Sequence, residues 1–288
     1  MPRVRYPAVA GAFYESDPGS LRRRLEWCFK HELGPGRLPA SEPTAGEPPL
    51  GLVSPHAGYM YSGPVAAHGY YELSLRDAPD VVVIVGPNHH GLGAPVALST
   101  HDAWRTPLGD VRVDRDFVSA LARRGVAELD DAAHMYEHSI EVQLPFLQYA
   151  YGERASQLRI VPIAMLLQNP DVSEELGRAI HEVSEELGVR PLIIASTDLT
   201  HYEPQRSAQE KDRAAIDAIL RMDPRGLYDA VVERDITMCG VGPVMALVAY
   251  ANSVGAAKAT LLKYATSGDV TGDYSSVVGY ASVLVTRG

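Results

Sequence analysis

Apolar residues follow two alternating rhythms along this chain. Short runs rich in Val, Ile and Leu recur at 50–54, 81–86, 95–99, 159–164, 192–196, 260–266 and 277–285. Most are apolar at consecutive positions rather than at every second one, the pattern of a strand covered on both faces. Between them, apolar positions at helical spacing predict helices at about 18–33, 64–75, 115–124, 139–151, 172–187, 205–221, 224–232 and 243–254. In the first, Leu21, Leu25 and Phe29 form the apolar stripe. The alternation predicts an α/β fold of three layers, a mostly parallel central sheet with helices on both faces. The segment WRTPLGDVRV at 104–113 predicts a hairpin turning on Pro107, Leu108, Gly109 and Asp110, an antiparallel element in that sheet.

One stretch breaks both rhythms. Residues 34–49, GPGRLPASEPTAGEPP, are rich in Pro and Gly and without period, which predicts a surface loop. It comes too early to separate two full domains, so a single domain over 1–288 is expected. An apolar fraction of 46% in 288 residues suffices for a core and excludes disorder. The 26 Lys and Arg against 36 Asp and Glu leave a net charge of −10, which argues against a dedicated nucleic-acid binder. No apolar run is long enough to span a membrane, so no membrane partner is expected. The opening MPRVRY lacks the apolar stretch of a secretory signal. Cys28 and Cys239 make no disulfide framework. A soluble cytoplasmic protein with reduced thiols is expected.

The chemistry is expected where predicted strands end, because ligands of open α/β sheets bind outside the carboxyl ends of the strands. Run 50–54 leads into Pro55-His56-Ala57-Gly58-Tyr59, and run 81–86 into Pro87-Asn88-His89-His90-Gly91. Run 192–196 leads into Thr197-Asp198-Leu199-Thr200-His201-Tyr202. A single histidine in a loop is more often a surface or capping residue. Three strand exits that all carry histidine would share one sheet edge if the strands are parallel. Imidazole is the commonest metal ligand, and a catalytic metal needs about three protein ligands with a position left open. His56 and His89 supply two. His90, adjacent to His89, should point elsewhere. Pro55 and Pro87 stiffen the exits, and Gly58 and Gly91 allow the turns that follow.

Asp198, His201 and the remote Cys239 are all candidates for a third ligand. Cys239 precedes the predicted helix at 243–254, where free N–H groups and positive potential should favour a thiolate. It also fits a small buried residue at a tight helix start. Cys28 lies inside the first helix pattern and is expected in the core. In Glu137-His138-Ser139-Ile140-Glu141, His138 and Glu141 are spaced to share a helix face. They fit a pair supporting the site, an acid/base contribution, or an ordinary acidic first helical turn. Other templates are missing: no Walker A loop, no GxSxG elbow, no Rossmann glycine spacing, no HExxH and no CxxC.

Taken together, these residues resemble the Memo family, named for a mediator of receptor-driven cell motility in animals; prokaryotic members are often called AmmeMemoRadiSam system protein B. The resemblance runs through Ala10-Gly11-Ala12-Phe13-Tyr14, the turns at His56 and His89, Glu137 to Glu141, Ser196-Thr197-Asp198 with His201, and Cys239-Gly240. It ends in Ser267-Gly268-Asp269 and Val278-Gly279-Tyr280. It implies a fold like that of the class III extradiol dioxygenases, which hold non-haem iron with two histidines and a glutamate. It further implies that cysteine replaces that glutamate, so the metal ligands would be His56, His89 and Cys239. Asp198 and His201 would line the same pocket as catalytic groups, with His201 at the place resembling the dioxygenase general base. Phe13, Tyr59, His90, His138 and Glu141 would support the site or line its pocket. Where animal members carry Trp, this chain has Phe13. Animal members are described as phosphotyrosine-peptide binders, and the prokaryotic name reflects association with a radical SAM protein and an AMMECR1-type protein.

Three functions are consistent with this reading. The first is a metal-dependent redox or oxygenase-like enzyme holding iron or copper, acting on a small molecule or peptide. Sulfur in the ligand set favours softer metals over Mg or Ca. The second is a peptide- or partner-binding module on an old enzyme fold, and the third a zinc hydrolase.

Overall fold

The structure, a computed structural model, describes residues 2–288. In chain order the elements are β1 (Val4–Arg5), α1 (Pro18–Lys30), β2 (Gly51–Ser54), α2 (Tyr59–Ser74), β3 (Val81–Pro87), β4 (Val96–Leu98), β5 (Ala103–Thr106), β6 (Gly109–Val113) and α3 (Arg115–Arg123). Then follow β7 (Glu128–Leu129), α4 (Gln143–Tyr151), β8 (Arg159–Met165), α5 (Pro170–Leu187), β9 (Pro191–Ser196), β10 (His201–Glu203), α6 (Gln205–Leu220) and α7 (Pro224–Glu233). The chain closes with α8 (Val241–Val254), β11 (Ala257–Thr266), α9 (Ser267–Thr271) and β12 (Val277–Arg287).

The strands form one twelve-stranded sheet, ordered β1-β5-β6-β8-β3-β9-β2-β12-β10 with β11 added on β12, β4 on β8 and β7 on β4. Its centre is parallel: β6 with β8, β8 with β3, β3 with β9 and β9 with β2. Every residue of β2, β3 and β9 is buried, which accounts for the continuous apolar runs. Antiparallel pairs appear toward the flanks, although β1 at one edge is parallel to β5. β5 and β6 make the expected hairpin, while β12 runs against β2, β11 and β10. The sheet is thus less uniformly parallel than the alternation of elements suggests, because β11 and β12 return through only the short α9 and need no long crossover.

Adjacent residues of β2 show how the layers arise. A side chain added at Gly51 would strike Leu247 of α8, whereas Leu52 fits against Gly69 of α2. Successive strand residues point to opposite faces, so α8 and α2 lie on opposite sides of the sheet. With α8 go α5 and α7, and with α2 go α1 and α4. Cys28 sits in the α1–α2 contact, fully buried, where only a glycine at position 63 leaves room for its Sγ. Both cysteines are free. Among the described residues, no helix is long and apolar enough to cross a membrane.

Two helix starts differ from the sequence expectation. Helix α2 begins at Tyr59 rather than 64 and carries Pro64 inside it. Proline favours the first turn of a helix, but here the Tyr59 N–H reaches the Phe13 carbonyl and Ser62 Oγ donates to the Ala57 carbonyl, anchoring an earlier start. Helix α4 begins at Gln143 rather than 139. The residues before it are held in turns by the Glu137 carboxylate, which accepts from the N–H groups of His138 and Ser139.

Candidate metal centre

Strands β2, β3 and β9 are parallel, so their carboxyl ends meet at one sheet edge. There His56, His89 and Cys239 converge, with a donor atom from each lying within 4.8 Å of the others. His56 is buried and His89 partly exposed. Neighbouring hydrogen bonds fix which imidazole nitrogen is free.

Ser196, the last residue of β9, donates its single hydroxyl proton to the Ser139 carbonyl at 2.7 Å. It accepts from Gln143 Nε2 at 2.8 Å, an amide oriented by its own donation to the Pro55 carbonyl. Ser196 Oγ can then only accept from His56 Nδ1, 2.9 Å away. The Nδ1 proton is thereby committed, and Nε2 carries the lone pair. For His89 the partner is Glu137, whose Oε1 lies 2.9 Å from Nδ1. Glu137 is fully buried and also accepts the His89 N–H at 2.6 Å. These bonds outweigh burial and hold its carboxyl well below the usual carboxylate range. A carboxylate there makes His89 Nδ1 a donor and frees Nε2. Burial, with His138 and His89 nearby, pushes His56 well below the usual imidazole value. It stays neutral, the form that ligates.

Cys239 comes from the other face, one residue before the N-cap of α8. Its Sγ lies 3.2 Å from His56 Nε2 and accepts the Asp198 N–H at 3.3 Å. The approach depends on Gly240, where an added side-chain carbon would sit 2.4 Å from the Ser196 carbonyl oxygen. Gln168 clamps the turn, donating to the Cys239 carbonyl and accepting from the Gly242 N–H. The expected thiolate stabilisation by the helix start is not found. The N–H groups of Gly240 and Gly242 are taken by Thr197 and Gln168. Burial and the Asp198 carboxylate push the thiol well above its ordinary value. Without a cation this sulfur is a thiol.

The remaining expected residues divide. Asp198 Oδ1 accepts the His56 N–H at 2.8 Å, and its Oδ2 is 4.0 Å from His56 Nε2. Burial raises its carboxyl above the usual range. His201 Nδ1 donates to the Thr237 carbonyl at 2.8 Å rather than to Asp198. His138 stacks on His89 with ring centroids 4.7 Å apart and packs against Phe13 at 4.5 Å, and burial lowers its pKa to about 4. Tyr59 lies beneath the site, donating to the Val142 carbonyl and packing on Phe146. His90 is exposed and turned toward Tyr136. Glu141 does not share a face with His138. It lies before α4 and turns toward the N-terminal segment, where it pairs with Arg5 and accepts from Ala8 N, Val9 N and Tyr14 Oη. Gly91 uses a left-handed φ of 67°, whereas Gly58 has an ordinary φ of −53° and owes nothing to glycine's freedom.

The site forms the floor of a cleft of about 700 Å³ whose wall includes Phe13, Asp198 and His201. The sequence reading missed Ser196, Gln143 and Thr237 as partners, and Tyr61, Tyr202 and Asp273 as walls. Glu137 was in view only as a neighbour of His138. Its signal was position: a carboxylate directly before two N–H groups it could cap.

The whole chain can be compared with known proteins. The Memo-like protein family model matches residues 5–284. A MEMO1 family protein of Methanopyrus kandleri is 53% identical over 285 residues, covering 99% of each chain. Another, of Methanocaldococcus jannaschii, is 51% identical, covering 99% of this chain and all of the other. Among solved structures, an uncharacterised protein of Escherichia coli superposes with a TM-score of 0.56 at 14% identity, over 82% of this chain and 98% of that one. That likeness concerns the fold alone. Family model and relatives span the chain almost from end to end, and on that ground the chain belongs to the Memo family.

Proposed function

We propose that this protein holds a soft or borderline metal ion with His56, His89 and Cys239, and that the site serves redox or oxygenase-like chemistry on a small molecule or peptide. The observation that carries the reading is the commitment of both Nδ1 protons, His56 to Ser196 and His89 to Glu137, beside Cys239 Sγ. Two imidazoles with prepared lone pairs and one sulfur suit iron, copper or zinc better than Mg or Ca. When bound, iron or copper supplies electron transfer and Lewis-acid polarisation of a bound oxygen.

The chain's own residues supply the rest. Asp198, raised by burial, can hold or release a proton beside His56. His201 lines the cleft with Nδ1 committed to Thr237, leaving Nε2 as its basic nitrogen. Phe13 and His138 close the apolar side. The cytoplasm and the two genome-associated proteins remain part of the proposal as its setting. A zinc hydrolase would use the same ligands, and an empty but ligand-competent cleft would be a binding module.

Anaerobic purification followed by metal analysis tests the reading. Iron or copper in the parent, lost in His56→Ala, His89→Ala and Cys239→Ser but kept in His201→Ala, is the expected result. Stoichiometric zinc would favour the hydrolase. A parent that binds none of these metals would end the proposal.

A further inference from the structure

The wall of the cleft above the metal centre has a consistent chemistry. Its aromatic members are Phe13, Tyr61, Tyr202 and Tyr280, and its charged members beyond the histidines are Asp198 and Asp273. Among the described residues, no Lys or Arg lines it. The floor does not reverse the balance: a divalent ion held by a Cys239 thiolate would add a single net positive charge, which the Glu137 carboxylate beneath His89 offsets. Tyr202 stands 77% exposed at a φ of 58°. That left-handed conformation costs about 1–2 kcal/mol for a side chain with no local compensation. Such conformations persist where the surrounding structure holds them, and they cluster at binding and catalytic sites. Asp273 is exposed; its Oδ1 accepts from Ser275 N and Oγ, and Oδ2 has no partner among the described residues.

Aromatic faces attract cations, and carboxylates at the same mouth add to that attraction. An anion would instead meet two carboxylates and no positive side chain. We infer that the cleft selects an organic cation, an ammonium-bearing small molecule with a flat apolar body, and that Tyr202 and Asp273 set this preference. The inference rests on the cleft being the substrate site of the proposed metal centre. It excludes phosphate- and carboxylate-headed ligands, phosphotyrosine among them, as preferred occupants.

The test is a binding titration with four probes: phenethylamine, phenethyl alcohol, hydrocinnamate and O-phosphotyrosine. It is run on zinc-loaded protein and on apoprotein. In apoprotein the amine should bind about tenfold more tightly than either anion, with the alcohol between; zinc adds to the anions only what ligation at its open position supplies. Asp273→Asn, which keeps the turn but removes the charge, should cut the amine preference roughly threefold. Tyr202→Ala should weaken amine and alcohol together, and Tyr202→Phe should restore both. Tighter binding of an anion to apoprotein, an Asp273→Asn variant with unchanged preference, or no binding of any probe at millimolar concentration would overturn the inference. Zinc that fails to load, with the probe order intact, would strike the metal reading alone. A reversed order in apoprotein, with zinc still loading at the three ligands, would strike this inference alone.

Discussion

His56 Nε2 lies 3.2 Å from Cys239 Sγ although 183 positions separate the two residues. One comes from the end of β2 and the other from the threshold of α8 on the opposite face of the sheet. Their meeting sets the pH behaviour of the site. Burial and Asp198 keep the Cys239 thiol protonated across the neutral range, so metal binding must displace its proton. Metal affinity should therefore rise about tenfold per pH unit across that range, once the histidines are neutral. Apoprotein Cys239 should be alkylated more slowly at neutral pH than an ordinary exposed cysteine. Competition titrations at several pH values and timed alkylation with peptide mapping measure both. A pH-independent affinity with rapid apo alkylation would mean a preformed thiolate.

Ser196 and Glu137 prepare the two imidazoles without facing the metal. Ser196→Ala removes the acceptor for His56 Nδ1–H, and Glu137→Gln removes the carboxylate that orients His89. Each should weaken metal affinity about tenfold or more while leaving the ligands in place. Competition against a chelator of known affinity checks this. Wild-type affinity in both variants would show that the tautomers are not set as the hydrogen bonds indicate.

The sequence made the frame of this site legible and left its support hidden. Consecutive apolar runs marked β2, β3 and β9, and the residues just beyond them placed His56, His89 and Asp198 at one edge. Periodicity reports which positions are buried; it does not report what a buried polar side chain reaches. Helical spacing put Glu141 beside His138, but Arg5, 136 positions away, holds it elsewhere. Proximity to a helix start suggested a thiolate at Cys239, but Thr197 and Gln168 had already taken the N–H groups. Both failures come from long-range partners competing for a local group, which a local pattern does not contain.

Glu141 ties the N-terminal segment to the site. It pairs with Arg5 in a fully buried contact, and Arg5 also donates to the carbonyls of His134 and Glu137. Removing one partner of a buried pair strands the other, which typically costs 3–5 kcal/mol. Glu141→Ala should therefore destabilise the fold by about 3 kcal/mol or more. It should also loosen the stretch carrying Phe13, while metal affinity falls less than in Glu137→Gln. Denaturant unfolding beside the metal titration separates the two effects. Little loss of stability would mean that water replaces the carboxylate.

His134 gives the fold a pH limit apart from the metal. It is fully buried, its Nε2 donates to the Ala97 carbonyl at 3.1 Å, and Nδ1 has no partner among the described residues. Burial first, and then the nearby Arg5 cation, lower its pKa to about 4. The unfolded chain takes up this proton near the ordinary imidazole value of about 6.5. Between those values the unfolded state binds more protons than the folded one. The stabilising contribution is therefore complete above about pH 6.5, is lost as the pH falls toward 4, and amounts to about 3 kcal/mol. His134→Gln keeps a donor for the Ala97 carbonyl and does not titrate. Measured between pH 7 and 4 on apoprotein, its unfolding free energy should fall less than that of the parent, by up to about 3 kcal/mol. His56 and His138 are also held neutral by burial, so both proteins should still lose stability in acid. Parallel pH profiles for the two proteins would show that His134 finds a proton acceptor or solvent when it charges, and that the acid limit lies with the site histidines alone.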